Sequence, residues 1–181
     1  MSKTFNPRHL DVAAFAHAKA ELSGEELLQK HERLAQELHG PAGDLTVKWQ
    51  AQGESRSAVD GSVRPAIHLR VQAELPLTCQ RCMDAVLTPI MVDRHFVFVP
   101  DEDTAATLDD ESEDDVLELS ADFNLLGLVE DEVLMALPLV PSHDECPTGV
   151  VHSAQTDDFD EAAEEKPHPF AALAALKNKK P

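Results

Sequence analysis

Positive charge is scarce in this chain. Its 15 Lys and Arg stand against 34 Asp and Glu, a formal net charge of −19 over 181 residues. A simple nucleic-acid-binding domain draws its affinity largely from Lys and Arg on phosphates, so this balance argues against one. It favours a basic protein partner, or a function set by local rather than net charge. Cysteine is scarce too: there are three, an odd number that makes no disulfide framework. No apolar run approaches the ~20 residues of a membrane span, and no basic region followed by an apolar one marks a signal peptide. The expectation is a cytoplasmic protein in a reducing compartment, with no membrane partner. There is also no Gly-rich phosphate loop, no nucleophile elbow and no H-E-x-x-H pattern. His17, His31, His68 and His95 are scattered singly and suggest no triad. Nothing in the sequence supports an enzyme.

Hydrophobic residues make up 43% of the chain, enough to bury a core. The length suits one domain over 1–150 and an acidic, disordered tail over 151–181 with a short apolar helix at 169–177. Asp11 to Ala18 is Ala-rich and reads as a helix with Asp11 as its cap, or as an extended arm. Ser23 and Glu26 have capping-box spacing, and Leu27, His31, Leu34 and Leu38 recur at helical intervals before Gly40-Pro41. These predict an amphipathic helix over 24–39. Leu45, Val47, Trp49 and Ala51 alternate with polar residues, as do Ile67, Leu69, Val71, Ala73 and Leu75, and a third run spans 92–99 with Phe96 and Phe98 on one face. Residues 53–63, polar and with two glycines, read as a loop or a weak strand pair. Residues 101–132 are rich in Asp and Glu without a single Lys or Arg, and up to Asp115 they read as a solvated loop. Leu126, Val129, Val133 and Ala136 predict a second helix over 124–137, capped by Asp122 or Asn124 and ended by Pro138. The expected fold is α+β: an antiparallel sheet, curled towards a barrel, with the two amphipathic helices packed on it.

The pivot is Leu77-Thr78-Cys79-Gln80-Arg81-Cys82, two thiols on a hairpin tip between strand-like runs. Metal binding, redox exchange and a plain compact turn are all open to such a tip. Cys79 and Cys82 have the spacing of half a tetrahedral zinc site, and His143 and Cys146 would have to supply the other half. With three thiols and a histidine needed as fourth ligand, the expectation is that Cys79, Cys82 and Cys146 lie near one another without metal. No cofactor is expected, and zinc is the alternative. Arg81 is available for a carboxylate or a phosphate, or is an ordinary surface arginine. Glu130, Asp131 and Glu132 fall on the polar face of the second helix, a solvated or partner-facing surface.

Three blocks together resemble the YceD family, the large ribosomal RNA subunit accumulation proteins. They are Leu77 to Cys82, Leu125 to Pro141 with His143, Asp144 and Cys146 after it, and Pro167 to Lys177. The resemblance implies a non-enzymatic role in synthesis, processing or stability of 23S ribosomal RNA. It implies as partner either the 23S precursor or a basic large-subunit ribosomal protein. The alternative is an acidic, chaperone-like module for a basic protein, unrelated to RNA levels. A zinc-dependent or thiol enzyme is the third reading. Some relatives carry further cysteines after the second block, like a zinc ribbon, whereas this chain has only Cys146.

Overall fold

The structure, a computed structural model, describes residues 4–57, 61–109 and 112–147. The tail expected over 151–181 and the helix expected at 169–177 lie outside the described residues. The elements run α1 (Val12–His17), β1 (Glu21–Leu27), a single 3-10 turn (Leu28–Lys30), α2 (Glu32–Gln36), β2 (Thr46–Ser57), β3 (Val63–Thr78), β4 (Ala85–Val99), α3 (Glu102–Asp109), β5 (Asp115–Glu118) and α4 (Leu125–Met135). The fold is mixed α+β. The five strands form one sheet in chain order. It is open, with β1 and β5 at its two edges, rather than closed into a barrel. The first three pairings are antiparallel, but β5 lies parallel to β4, because the chain crosses over through α3 before rejoining the sheet. No helix among the described residues is long and apolar enough to cross a membrane.

Period-two alternation puts Val47, Trp49 and Ala51 of β2, Ile67, Leu69, Val71 and Leu75 of β3, and Ile90, Val92, Phe96 and Phe98 of β4 on one face. All are buried. α1 covers that face with Val12 and Phe15, and α4 with Leu125, Leu126, Val129 and Val133. Asp11 caps α1 by accepting from the Ala14 N–H at 3.0 Å, and Asn124 caps α4 by accepting from the Gly127 N–H at 3.1 Å. Leu10 and Phe123 exchange backbone hydrogen bonds at 2.9 Å, tying the approach to α1 to the approach to α4.

The helix expected over 24–39 does not form. Residues 21–27 pair with β2 along the whole of β1, Glu21 opposite Gln52 and Leu27 opposite Thr46. Pairing with a distant strand overrides the local helical period and the capping-box spacing of Ser23 and Glu26. Gly24 fits the strand because the Trp49 ring lies over it: a Cβ there would sit 2.8 Å from Trp49 Cζ2. Leu28, His31, Leu34 and Leu38 are nevertheless buried, carried inward by the 3-10 turn and by α2. Of the two readings open for residues 53–63, the strand pair is the one that forms: residues 53–57 and 63–66 extend β2 and β3, with Gly53 inside the strand. The solvated loop expected up to Asp115 is corrected. The acidic stretch contains α3, begun by Asp101, which accepts from the Thr104 N–H at 2.8 Å. Glu102 and Asp103 in its first turn suit the helix dipole. α3 packs Ala105 and Leu108 on Val99 and Val116, on the sheet face opposite the main core.

Gly53 is where α1 comes closest to the sheet. A Cβ there would lie 2.5 Å from the Phe15 carbonyl oxygen and 2.8 Å from its carbon, backbone atoms that cannot swing aside. Gly53→Ala is therefore expected to destabilise the fold by about 2 kcal/mol, read as a lower urea midpoint. An unchanged midpoint would show that α1 does not sit on β2 as described.

Candidate functional site

β3 and β4 pair without interruption from Ala66 opposite Val97 to Thr78 opposite Ala85. The turn between them carries both thiols. Its ends are held by the Cys79 N–H donating to Asp84 O and the Met83 N–H donating to Cys79 O, each at 2.9 Å. Met83 closes it in the left-handed region, with φ +65°, a conformation seldom taken by a non-glycine residue. The segment after α4 returns across this tip. The Gln80 N–H donates to Pro141 O at 2.8 Å, and the Arg81 guanidinium donates to the carbonyls of His143 and Asp144. Arg81 thus fastens the returning strap.

That return brings Cys79, Cys82, His143 and Cys146 together. Their four donor atoms all lie within 4.8 Å of one another. Cys79 Sγ is 3.9 Å from Cys146 Sγ, and Cys82 Sγ is 3.5 Å from His143 Nδ1. Zinc bonds of about 2.3 Å to sulfur and 2.0 Å to nitrogen in a tetrahedron separate sulfurs by about 3.8 Å and sulfur from nitrogen by about 3.5 Å. His143 Nε2 lies 3.0 Å from Ala85 O. A carbonyl only accepts, so Nε2 holds the proton and Nδ1 is left with its lone pair towards the thiols, the usual outer support of a ligating histidine. Spacing, tautomer and donor chemistry all fit a closed Cys3His centre. Such an ion would lock strap to tip and add folding energy directly.

The thiols are electrostatically unequal. Burial opposes ionisation of Cys79. Hydrogen bonds from the backbone N–H groups of Cys82, Arg81 and His143 outweigh it and bring the thiol down to about 5. Burial and hydrogen bonds with Cys82 and Cys79 push Cys146 up to about 11.

Glu130, Asp131 and Glu132 are all engaged within the fold. Glu130 Oε1 accepts from the N–H groups of Arg33 and Leu34 at 3.0 and 3.2 Å, capping α2, which has no side-chain cap of its own. The Arg33 guanidinium bonds Glu130 Oε2 at 3.0 Å and Asp131 Oδ1 at 2.6 Å. Burial disfavours the Glu130 charge, but these Arg33 and Leu34 bonds prevail and hold its carboxyl below the usual range. Glu132 is buried 3.6 Å from Arg94 Nη1. Burial, helped by Asp115 and Asp131, raises its carboxyl above the ordinary value against the pull of Arg94.

One cluster escaped the sequence reading. His68 and His95 stack across β3 and β4 with ring centroids 4.0 Å apart, and their nitrogens lie near the Glu54 carboxylate. The signal was available only in part: the two histidines flank the thiol tip, but they pair only because the hairpin turns about a centre between Arg81 and Cys82. This group does not fit a cation. Arg70 Nη2 is 3.4 Å from His68 Nδ1 and Arg56 Nε is 3.8 Å from Glu54 Oε2, so guanidinium groups already face the donors a metal would need. Asp93 completes an ion-pair network through His68 Nε2 at 2.5 Å.

The family model described as "Large ribosomal RNA subunit accumulation protein YceD" matches residues 67–177. A curated protein of that name from Haemophilus influenzae is 31% identical over 182 residues, covering 99% of this chain and all of its own. The chain belongs to the YceD family. No solved structure gives a significant match. Within the described residues, the family match takes in most of β3, the thiol tip, α4 and the returning strap, so the Cys3His cluster of this YceD-family chain lies wholly inside it.

The thiol asymmetry predicts a pH profile for metal-stripped protein. Cys79 is depressed on folding, so its contribution is full above the unfolded thiol value of about 8.5 and is lost as pH falls through about 5. Cys146 is raised, so its contribution is full below the unfolded value and is lost as pH rises through about 11. The melting temperature of chelator-treated protein should therefore decline on both sides of the ordinary thiol value. Cys79→Ser should flatten the acid limb; an acid limb that survives in Cys79→Ser would refute this assignment.

Proposed function

We propose that this chain is a non-enzymatic factor supporting accumulation of the large-subunit ribosomal RNA, through synthesis, processing or stability of 23S RNA, in the cytoplasm. The observation that carries this reading is membership of the YceD family over nearly the whole chain, with a relative whose name states that role. The chemistry of the tip agrees with it. Catalytic zinc sites keep a position open for water or substrate, whereas the four protein donors here, all within 4.8 Å of one another, would complete the shell of a single ion. Zinc at Cys79, Cys82, His143 and Cys146 is a structural ion in this reading, and Arg81 holds the strap that delivers two of its ligands.

The partner is a basic large-subunit protein rather than naked RNA. One observation favours this over direct RNA contact: four guanidinium groups on the sheet and helices are already paired with carboxylates. Arg33 meets Glu130 and Asp131, Arg70 meets Asp93, Arg94 meets Asp115, and Arg56 lies against Glu54 and Asp114. Phosphate contacts would have to break these pairs.

Deleting the gene and measuring 23S against 16S RNA tests the role. A fall in 23S, or unprocessed 23S ends, is expected; a normal ratio with normal ends would overturn it. Protein purified without chelator should carry about one zinc per chain. Both the zinc and part of the thermal stability should be lost in Cys79→Ser and Cys146→Ser. Metal-free protein with three reactive thiols after unfolding would remove zinc from the proposal and leave the RNA role to the first test.

A further inference from the structure

The sheet face opposite the main core falls into three zones. At one end α3 covers Val99 and Val116. In the middle lies the network of Glu54, His68, Arg70, Asp93 and His95. At the other end, towards the thiol tip, no described element lies over the sheet, and its β4 row, Leu87, Pro89 and Met91, is apolar beside the polar Lys48, Gln72 and Glu74. Lys48 of β2 stands opposite Gln72 of β3, Gln72 opposite Met91 of β4, and Glu74 opposite Pro89. These rows floor an open groove of about 550 Å³ that also takes in Leu87, Asp44 and Thr46. Met91 is 77% exposed and Leu87 58% exposed. A strand face that presents Leu, Pro and Met to solvent, while the same face is covered further along, has the character of a binding surface. Methionine in particular adapts to varied apolar partners.

We infer that this groove binds an extended cationic segment of a basic protein, with apolar side chains seated on Leu87, Pro89 and Met91 and Lys or Arg reaching the carboxylates of Asp44 and Glu74. The inference rests on the reading of the chain as a large-subunit assembly factor and names the chemistry of its partner. Charge selects this occupant over the others. A second copy would bring another net charge of −19 against the first, a repulsion that works against self-association. An RNA strand would find one cation in the groove, Lys48, between two carboxylates. A segment that alternates Lys or Arg with Leu or Val meets both the apolar floor and the acidic rim. The whole-protein field would also speed its approach.

The test uses the full chain and a fluorescent synthetic peptide alternating Lys or Arg with Leu or Val, followed by anisotropy. Two comparison peptides are used, one with the apolar residues replaced by Ser and one with the cations replaced by Gln. Leu87→Lys and Met91→Lys change exposed side chains and should leave the melting temperature unaltered. The expected result is saturable binding that weakens with salt, is lost with either comparison peptide, and weakens about tenfold or more in each variant, a change of about 1.4 kcal/mol. Equal binding of the Ser-substituted peptide, unchanged binding in both variants, or displacement of the peptide by single-stranded RNA or by unlabelled chain would overturn the inference. The deletion measurement of 23S against 16S RNA is independent of this one. A lowered ratio with no peptide binding refutes the groove and keeps the RNA role; a normal ratio with groove-dependent binding does the reverse.

Discussion

The register between β3 and β4 is the constraint on which the rest of the molecule depends. Side chains alternate with period two, so a slip of one residue would turn Ile67, Leu69 and Val71 outward and bring His68 and Arg70 into the core. The same register sets the ends of the strands, with Thr78 opposite Ala85, and so leaves the two thiols in the turn. It also sets the Ala85 carbonyl where the His143 ring can use it. Core, tip and ligand tautomer are thus consequences of one pairing pattern. The return of the chain after α4 then closes a loop between the far end of the helical layer and the far end of the hairpin.

Charge in this protein is arranged rather than simply abundant. Acids outnumber bases by more than two to one, yet the arginines are placed as clamps. Arg33 joins α2 to α4, Arg94 joins the sheet to α4 through Glu132, and Arg81 joins the tip to the strap. Exposed ion pairs contribute little individually. Those here matter for geometry. Glu130 caps a helix of five residues that has no cap of its own, and a helix that short is not stable without tertiary support.

What the sequence made legible follows from the range of the interactions. α1 and α4 were readable because their caps and apolar stripes are local: Asp11 and Asn124 act within three residues of themselves. The three central strands were readable because alternation is local too. β1 was not, because its reason is Trp49 and the edge of β2, far along the chain, while its own residues imitate a helix start. β5 was hidden because a four-residue strand in an acidic stretch has no pattern of its own. It is chosen by the apolar row that α3 covers. The proximity of Cys79, Cys82, His143 and Cys146 was anticipated from spacing. The histidine's proton position was not, since it depends on the Ala85 carbonyl that the hairpin supplies.

The arrangement of the outer sheet face ties these threads together. A sheet with one face on the core needs either a polar second face or a cover. Here α3 covers one end, and the paired network of Glu54, His68, Arg70, Asp93 and His95 makes the middle polar. The end near the tip has neither. Stability alone would favour polar residues at Leu87 and Met91, where exposure is high and nothing in the fold gains from apolar surface. The strap fastened by Arg81 lies at the same end of the hairpin, so the groove borders the end of β4 that His143 holds through the Ala85 carbonyl. A rigid hairpin end reduces the ordering that a partner must impose on binding. A firm tip beside an uncovered apolar groove, on a chain of strongly negative charge, is the combination expected of a surface that receives a basic polypeptide.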